Sequence, residues 1–387
     1  LAIPWELRPL VVAEQTAGPR RTDNDACFTP REEHRMPPAQ GSSLAPALLA
    51  WHARHGRHDL PWQVERSAYR VWVSEIMLQQ TQVAIVIGYF DRFMARFPDV
   101  ASLAAAAPDE VLHLWSGLGY YSRARNLQRA ARQVMEQHAG ELPDSVEGLA
   151  ALPGIGRSTA GAIRALSAGE RAPILDGNVR RVLARYFAVR GPLTGSARER
   201  ELWALAGACT PHGDVATYTQ AIMDLGATVC VRARPLCAVC PLADQCGAKR
   251  EGLQREIPAP RPRPVRPLRR AAWLLARRDD GCVLLERQPE RGLWGGLWCP
   301  PQFDDVQQAR AWASARLEGQ FEQPGALAPF RHAFTHFELE VEPLLVHCRA
   351  ACGGHVAEPG PAHAWCNPAD PGALGLPAPV SALLSRL

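Results

Sequence analysis

Lysine is almost missing from this chain. The 387 residues hold 43 lysines and arginines together, and only Lys249 is a lysine. Arginine suits phosphate recognition because its planar fork presents several N–H donors at once. A GC-rich genome would produce the same bias, so the count alone does not point to nucleic acid. It does bear on chemistry, since a chain with one side-chain amine has few candidates for a Schiff-base nucleophile. Long apolar runs are missing too. No stretch of about 18 apolar residues occurs, so no membrane-spanning helix is expected. The first residues lack the apolar core of a signal peptide. Residues 1–43 mix Pro, Arg, Ser and acids without periodicity and read as a disordered extension. Glu6, Glu14, Asp23, Asp25, Glu32 and Glu33 make them too acidic for a transit peptide.

What is present suits a globular protein of two or three domains. The formal charge is a mild +4. From residue 44 to 250, Ala, Leu, Val and Ile recur at three- and four-residue spacing between Pro and Gly breaks, which predicts an all-helical domain. Residues 251–268 form a linker that overlaps the run REIPAPRPRPVRPLRR (255–270), which has five prolines, six arginines and one acid. Residues 269–387 carry short strand-like runs (AAWLLARR, CVLLER, ELEVEPLLVHC) and one helical stretch near 304–317, which predicts a smaller α+β domain.

Four of the eleven cysteines stand apart. Cys230, Cys237, Cys240 and Cys246 follow the spacing C-x6-C-x2-C-x5-C. Four thiolates so close in sequence can surround one metal centre. Zinc and an iron–sulfur cluster both accept four thiolates, and the spacing does not choose between them. Upstream, LPGIGRSTAGAI places Gly154 and Gly156 before a helix. Glycine there permits positive φ and close approach of backbone, and the exposed N–H groups of the helix start favour an anion. A plain helix-to-helix turn is the alternative.

Two carboxyls sit in contrasting contexts. Glu75, in VWVSEIMLQQTQV, is flanked by Trp72, Val73, Ile76, Met77 and Leu78; apolar surroundings disfavour its anion and raise its pKa. Asp176, in PILDGNVRRVLAR, starts a helix, and the N–H groups there are expected to lower its pKa. Two carboxyls pushed apart in this way divide the roles of acid and anion. Taken singly, Asp176 reads as an N-cap and Glu75 as a solvated helix residue.

Together these motifs resemble the endonuclease III and adenine DNA glycosylase superfamily. The cysteine loop resembles its four-iron cluster loop, LPGIGRSTA its helix-hairpin-helix, and ILDGNVRRVLAR its Gly/Pro-Asp segment. SEIMLQQTQV and WSGLGYYSRARNL resemble the adenine glycosylase branch. The resemblance spans about residues 44–387. It implies a [4Fe-4S] cluster on the four cysteines, with Arg232 and Arg234 in their loop facing the DNA backbone. It implies that Gly154 and Gly156 grip a phosphate, that Glu75 protonates the leaving adenine and handles water, and that Asp176 stabilises an oxocarbenium-like sugar. The base must first be flipped out of the duplex. Gln80 and Tyr120 match the intercalating residues, and Asn178 a residue holding the flipped nucleotide. Trp62 lines the base pocket or belongs to the core. Where strand-cutting relatives carry a lysine this chain has Ser158, which predicts hydrolysis that stops at an abasic site.

In the C-terminal part, GLWGGLWCPPQF followed by a helix resembles a Nudix fold. The helix lacks the carboxylates of a catalytic Nudix box, so nucleotide hydrolysis is not expected. FRHAFTHFELEVE resembles a loop that senses 8-oxoguanine, with Phe334, Thr335 and His336 at the key positions. The implied protein is a monomer of the bacterial cytoplasm, at the nucleoid, that excises adenine opposite 8-oxoguanine or guanine in double-stranded DNA. An oxidised-pyrimidine lyase, a Nudix hydrolase with a DNA-binding appendage and an inert iron–sulfur DNA-binding protein are the rival readings. Ser158, the missing Nudix carboxylates, and the retention of both Glu75 and Asp176 oppose them respectively.

Overall fold

The computed structural model describes residues 44–260, 265–317, 319–321, 327–348 and 362–387. The expected N-terminal extension and four residues of the expected linker lie outside them. The first part is helical throughout: α1 (Leu44–His55), α2 (Ala68–Leu78), α3 (Val83–Arg96), α4 (Val100–Ala105), α5 (Pro108–Trp115), α6 (Ser122–Gln137), α7 (Val146–Ala150), α8 (Arg157–Ala168), α9 (Gly177–Tyr186), α10 (Ser196–Cys209), α11 (Val215–Thr228) and α12 (Gly247–Arg250). After α12 the chain turns back onto this body. Ile257 is buried, and its carbonyl accepts an N–H from Arg185 at 2.7 Å. The first residues of the expected linker therefore pack rather than span.

Local chemistry sets these boundaries. Ser67 caps α2 by accepting the N–H of Arg70 at 3.2 Å. Asp99 and Ser102 form a reciprocal capping box on α4. On α6, Ala124, Leu127, Ala130, Ala131 and Val134 are buried at three- and four-residue spacing, while Arg129 and Arg132 face water.

The second part is built on strands β1 (Leu268–Arg278), β2 (Val283–Arg287), β3 (Trp298–Cys299), β4 (Gln302–Phe303), β5 (Gly319–Phe321), β6 (Phe330–Ala333), β7 (Glu338–Cys348) and β8 (His363–Cys366), with helices α13 (Val306–Arg316) and α14 (Ala378–Leu384). The sheet is mixed. Its path runs β3-β2-β1-β7-β5, with β4 on β1, β6 on β7 and β8 on β2. β1 and β7 are parallel and in register from Leu268↔Glu338 to Arg278↔Cys348; every other pairing is antiparallel. β1 reads AAWLLA without polar alternation because both its faces are covered. Ala272, Leu274 and Ala276 face Ala309 and Ala313 of α13. Trp273 and Leu275 belong to the other core, which is continuous with the helical body through Leu112, Leu297 and Leu376.

Arg123, at the start of α6, is buried and holds two loops at once. Its Nη1 donates to the carbonyls of Ile76, Met77 and Gln79 at 2.9, 2.7 and 2.7 Å, closing the C-terminus of α2. Its Nη2 donates to the carbonyls of Leu118 and Gly119 at 3.2 and 3.1 Å and to Thr81 Oγ1 at 3.2 Å. The segments so joined carry Gln80 and Tyr120, both at positive φ (59° and 48°). Burial lowers the guanidinium pKa to about 10, so it stays charged at neutral pH. Replacing Arg123 by Met keeps much of the volume but orphans these carbonyls. The variant is expected to lose about 3–5 kcal/mol of unfolding free energy in urea titration; a loss within about 0.5 kcal/mol would show that water replaces the guanidinium.

Candidate active site

Packing of α2 on α8, and of α8 and α9 on α11, brings the two carboxyls into one electrostatic neighbourhood. Glu75 faces inward from α2, with a small part of its surface open and its carboxyl enclosed. Burial, reinforced by the charge of Asp176, pushes its pKa up to about 8. Asp176 is the N-cap of α9, in extended backbone, and its Oδ1 accepts the N–H of Val179 at 2.7 Å.

The expected lowering of the Asp176 pKa is not what the structure gives. Burial raises it, outweighing the N–H groups of Val179 and Asn178 and the charges of Arg181 and Arg180. Both carboxyls resist ionisation, but among the described residues only Asp176 has N–H donors and nearby guanidinium groups that favour its anion. The surroundings thus favour the anion more at Asp176 than at Glu75.

Neighbouring residues hold the Asp176 segment. Ser158, in the first turn of α8, accepts the N–H of Leu175 on its hydroxyl at 2.9 Å, one residue before Asp176. Asn178 is half-buried, and its Oδ1 accepts an N–H from Arg181 at 2.8 Å; Arg181 also donates to the carbonyls of Gly226 and Cys230 at 2.6 and 2.7 Å. Arg181 was missed in the sequence, although the pair Arg180–Arg181 directly after the aspartate was a signal. Trp62 is core: it is buried edge-on against Phe90 at 5.4 Å.

The hairpin turn is exposed. Gly154 has φ 80°, and a Cβ there would stand 2.8 Å from Asn126 Cβ, so both conformation and space require glycine. Gly156 is the N-cap of α8 and offers no side-chain cap to its first N–H groups. Gln80 and Tyr120 are also exposed.

Among the cysteines, Cys230, Cys237, Cys240 and Cys246 are all part-exposed and free. Arg185 organises their loop, donating to Cys230 Sγ at 3.3 Å and to the carbonyls of Val231 and Arg232 at 2.8 and 2.9 Å. Burial pushes the Cys240 thiol up to about 11, with the charges of the other three raising it further, and Cys246 is also raised. The sulfurs therefore feel one another. Yet among the described residues no His, Cys, Asp and Glu group is arranged to hold a metal ion. Tetrahedral zinc needs sulfurs about 3.8 Å apart; a polynuclear cluster is larger and holds its ligands wider. Four free thiols, of which Cys230 accepts from the Arg185 guanidinium and Cys246 donates to the Arg185 carbonyl, have the donor chemistry that such a cluster takes. Arg232 and Arg234 are exposed on the same loop.

In the second part, Phe334 stacks on Phe337 at 4.7 Å and packs against Trp294 at 5.2 Å and His332 at 4.8 Å. The N–H of Phe334 bonds the Phe337 carbonyl, leaving Thr335 and His336 exposed at the tip of a turn. α13 (VQQARAWASAR) bears no carboxylate.

Two families match the chain in sequence. Residues 73–207 match the HhH-GPD superfamily of base excision DNA repair proteins, and residues 272–386 match the NUDIX domain. The fold is thus a helix-hairpin-helix glycosylase domain followed by an α+β Nudix domain. An adenine DNA glycosylase of Buchnera aphidicola subsp. Acyrthosiphon pisum is 36% identical over 339 residues, covering 88% of this chain and 96% of the relative. The human adenine DNA glycosylase is 43% identical over 228 residues, covering 57% of this chain and 42% of the relative. Among solved structures, a thermostable thymine-DNA glycosylase superposes with a TM-score of 0.49 at 26% identity, covering 55% of this chain and 97% of that one. With both domains matched in order and a relative matched along nearly its whole length, the chain belongs to the adenine DNA glycosylase family.

Proposed function

We propose that this glycosylase removes adenine paired with 8-oxoguanine or guanine in duplex DNA, by hydrolysis alone. The pairing of a protonated Glu75 with a charged Asp176 carries the reading. Glu75 gives its proton to the adenine ring as the N-glycosidic bond breaks, so the base leaves neutral. The Asp176 carboxylate faces the cationic sugar. The Glu75 carboxylate then takes a proton from the attacking water, and an abasic site results. Ser158 has no amine with which to attack the sugar. Lys249, the one lysine, follows the cluster loop, 4.0 Å from Asp244.

Duplex DNA is held at the Gly154–Gly156 turn and by Arg232 and Arg234, while Gln80 and Tyr120 fill the stack left by the flipped adenine. Asn178 supports the flipped nucleotide, and Phe334 braces Thr335 and His336 toward the opposite base. Cys230, Cys237, Cys240 and Cys246 hold a [4Fe-4S] cluster, which when bound staples the loop that presents the two arginines. The functional divisions are 44–250 for excision, 251–268 for connection and 269–387 for reading the lesion, in one chain acting as a monomer.

The test is incubation with duplexes holding adenine opposite 8-oxoguanine. Strand breaks are expected only after alkali, and borohydride is expected to trap no covalent adduct. Breaks without alkali, or efficient trapping, would overturn the hydrolytic reading; no breaks at all would overturn the function. Excision is expected to fall as pH rises through about 8, where Glu75 loses its proton. Glu75→Gln is expected to lower the single-turnover rate about 10²–10⁴-fold.

The same substitution is expected to stabilise the fold. A raised carboxyl pKa means the native state binds the proton more tightly, so stability declines as pH climbs from the unfolded value near 4.5 to about 8. The amide removes that decline. A melting temperature at pH 8 higher by roughly 2–4 °C is expected, with little difference at pH 4; a lower value at pH 8 would show that the carboxylate is not penalised by burial.

A further inference from the structure

Tyr120 and Tyr121 are neighbours in the chain with opposite surroundings. Tyr120 is exposed, whereas Tyr121 is buried where the two domains meet. The Tyr121 hydroxyl donates to the carbonyl of Leu376 at 3.2 Å and accepts the N–H of Gly117 at 3.3 Å. The N–H of Leu376 donates to Ser116 Oγ at 3.2 Å, and that hydroxyl donates to the carbonyl of Leu112 at 3.0 Å. Both backbone groups of one residue in the Nudix domain are therefore taken by side chains of the WSGLGYY loop. The approach is close: a Cβ at Gly375 would stand 2.8 Å from Leu112 Cβ and 3.0 Å from Leu297 Cδ2.

The clamp is also connected to the exposed tip. Phe334 packs on Trp294, whose carbonyl accepts the N–H of Leu297 at 2.8 Å; the next N–H, of Trp298, donates to the carbonyl of Gly375 at 2.9 Å. From there the path passes through Leu376 to Tyr121, and by one peptide bond to Tyr120. No link in it is solvent-exposed at Trp294, Leu297, Trp298, Leu376 or Tyr121.

We propose that Tyr121 and Ser116 are specificity-determining positioning residues. By clamping Leu376 they make the placement of the Tyr120 wedge depend on the seating of the Nudix domain, so that engagement of the opposite base by that domain speeds adenine excision. This rests on the proposed function, in which Tyr120 enters the stack and the Nudix domain reads 8-oxoguanine. Neither residue touches DNA or the reacting atoms. Their contribution is to the difference between two substrates rather than to the chemical step.

The test compares full-length wild type, Tyr121→Phe and Ser116→Ala in single-turnover excision from duplexes with adenine opposite 8-oxoguanine and opposite guanine. Each variant removes one neutral hydrogen-bonding group, so the rate ratio between the substrates is expected to fall roughly three- to tenfold, with the guanine-paired rate within about twofold of wild type. A wild type that discriminates and variants that keep its ratio would overturn the proposal while leaving the function intact. A wild type that does not discriminate would overturn the lesion-reading function. In that case hydrogen exchange at the amides of Leu118, Gly119 and Tyr120 decides the clamp, with faster exchange in Tyr121→Phe supporting it and unchanged exchange refuting it. Melting within roughly 4 °C of wild type separates displacement from unfolding, and Ser116→Ala serves if the tyrosine variant fails this check.

Discussion

Charge buried without water must be answered by fixed dipoles, and in this molecule that constraint is met by Arg123. Its guanidinium ends α2 and fastens the loop after Leu118. α2 carries Glu75, and the two fastened loops carry Gln80 and Tyr120. Glu75 and the two residues proposed as wedges thus share one anchor. A helix of eleven residues has little independent stability; here its last free carbonyls are closed from outside, which fixes where the helix stops and so where the next residues project.

The proposed catalytic pair illustrates the opposite use of burial. Among the described residues no donor reaches Glu75, and burial, with the charge of Asp176 beside it, raises its pKa. Asp176 is buried as well but receives the N–H of Val179 and the field of Arg180 and Arg181. The fold separates two chemically similar groups by what it withholds from one of them. Such burial of a carboxyl is destabilising in the folded state, as sites held for function often are.

Much of this was readable in the order of residues. The helical body, the sheet domain and the two carboxyls follow from spacing and flanking chemistry, because periodicity and capping are local. Contacts made across the chain were not readable. Asp176 was expected to be acidified by its helix, yet burial under other elements decides the sign. The packing of the half-buried Phe334 ring against Trp294 and Phe337, beside the exposed Thr335 and His336, was likewise not readable. Arg123 looked like any other member of SRARNL. Nothing in a run of arginines shows which one meets five carbonyls.

The apolar core that runs from Leu112 through Leu297 to Leu376 and Val380 joins the domains, and the hydrogen bonds of Tyr121 and Ser116 to Leu376 and the Arg287–Asp109 ion pair border it. Surface of that kind does not tolerate water on either side. The Nudix portion is therefore less a tethered sensor than a wall of the same building: its removal would strip the helical body of part of its interior.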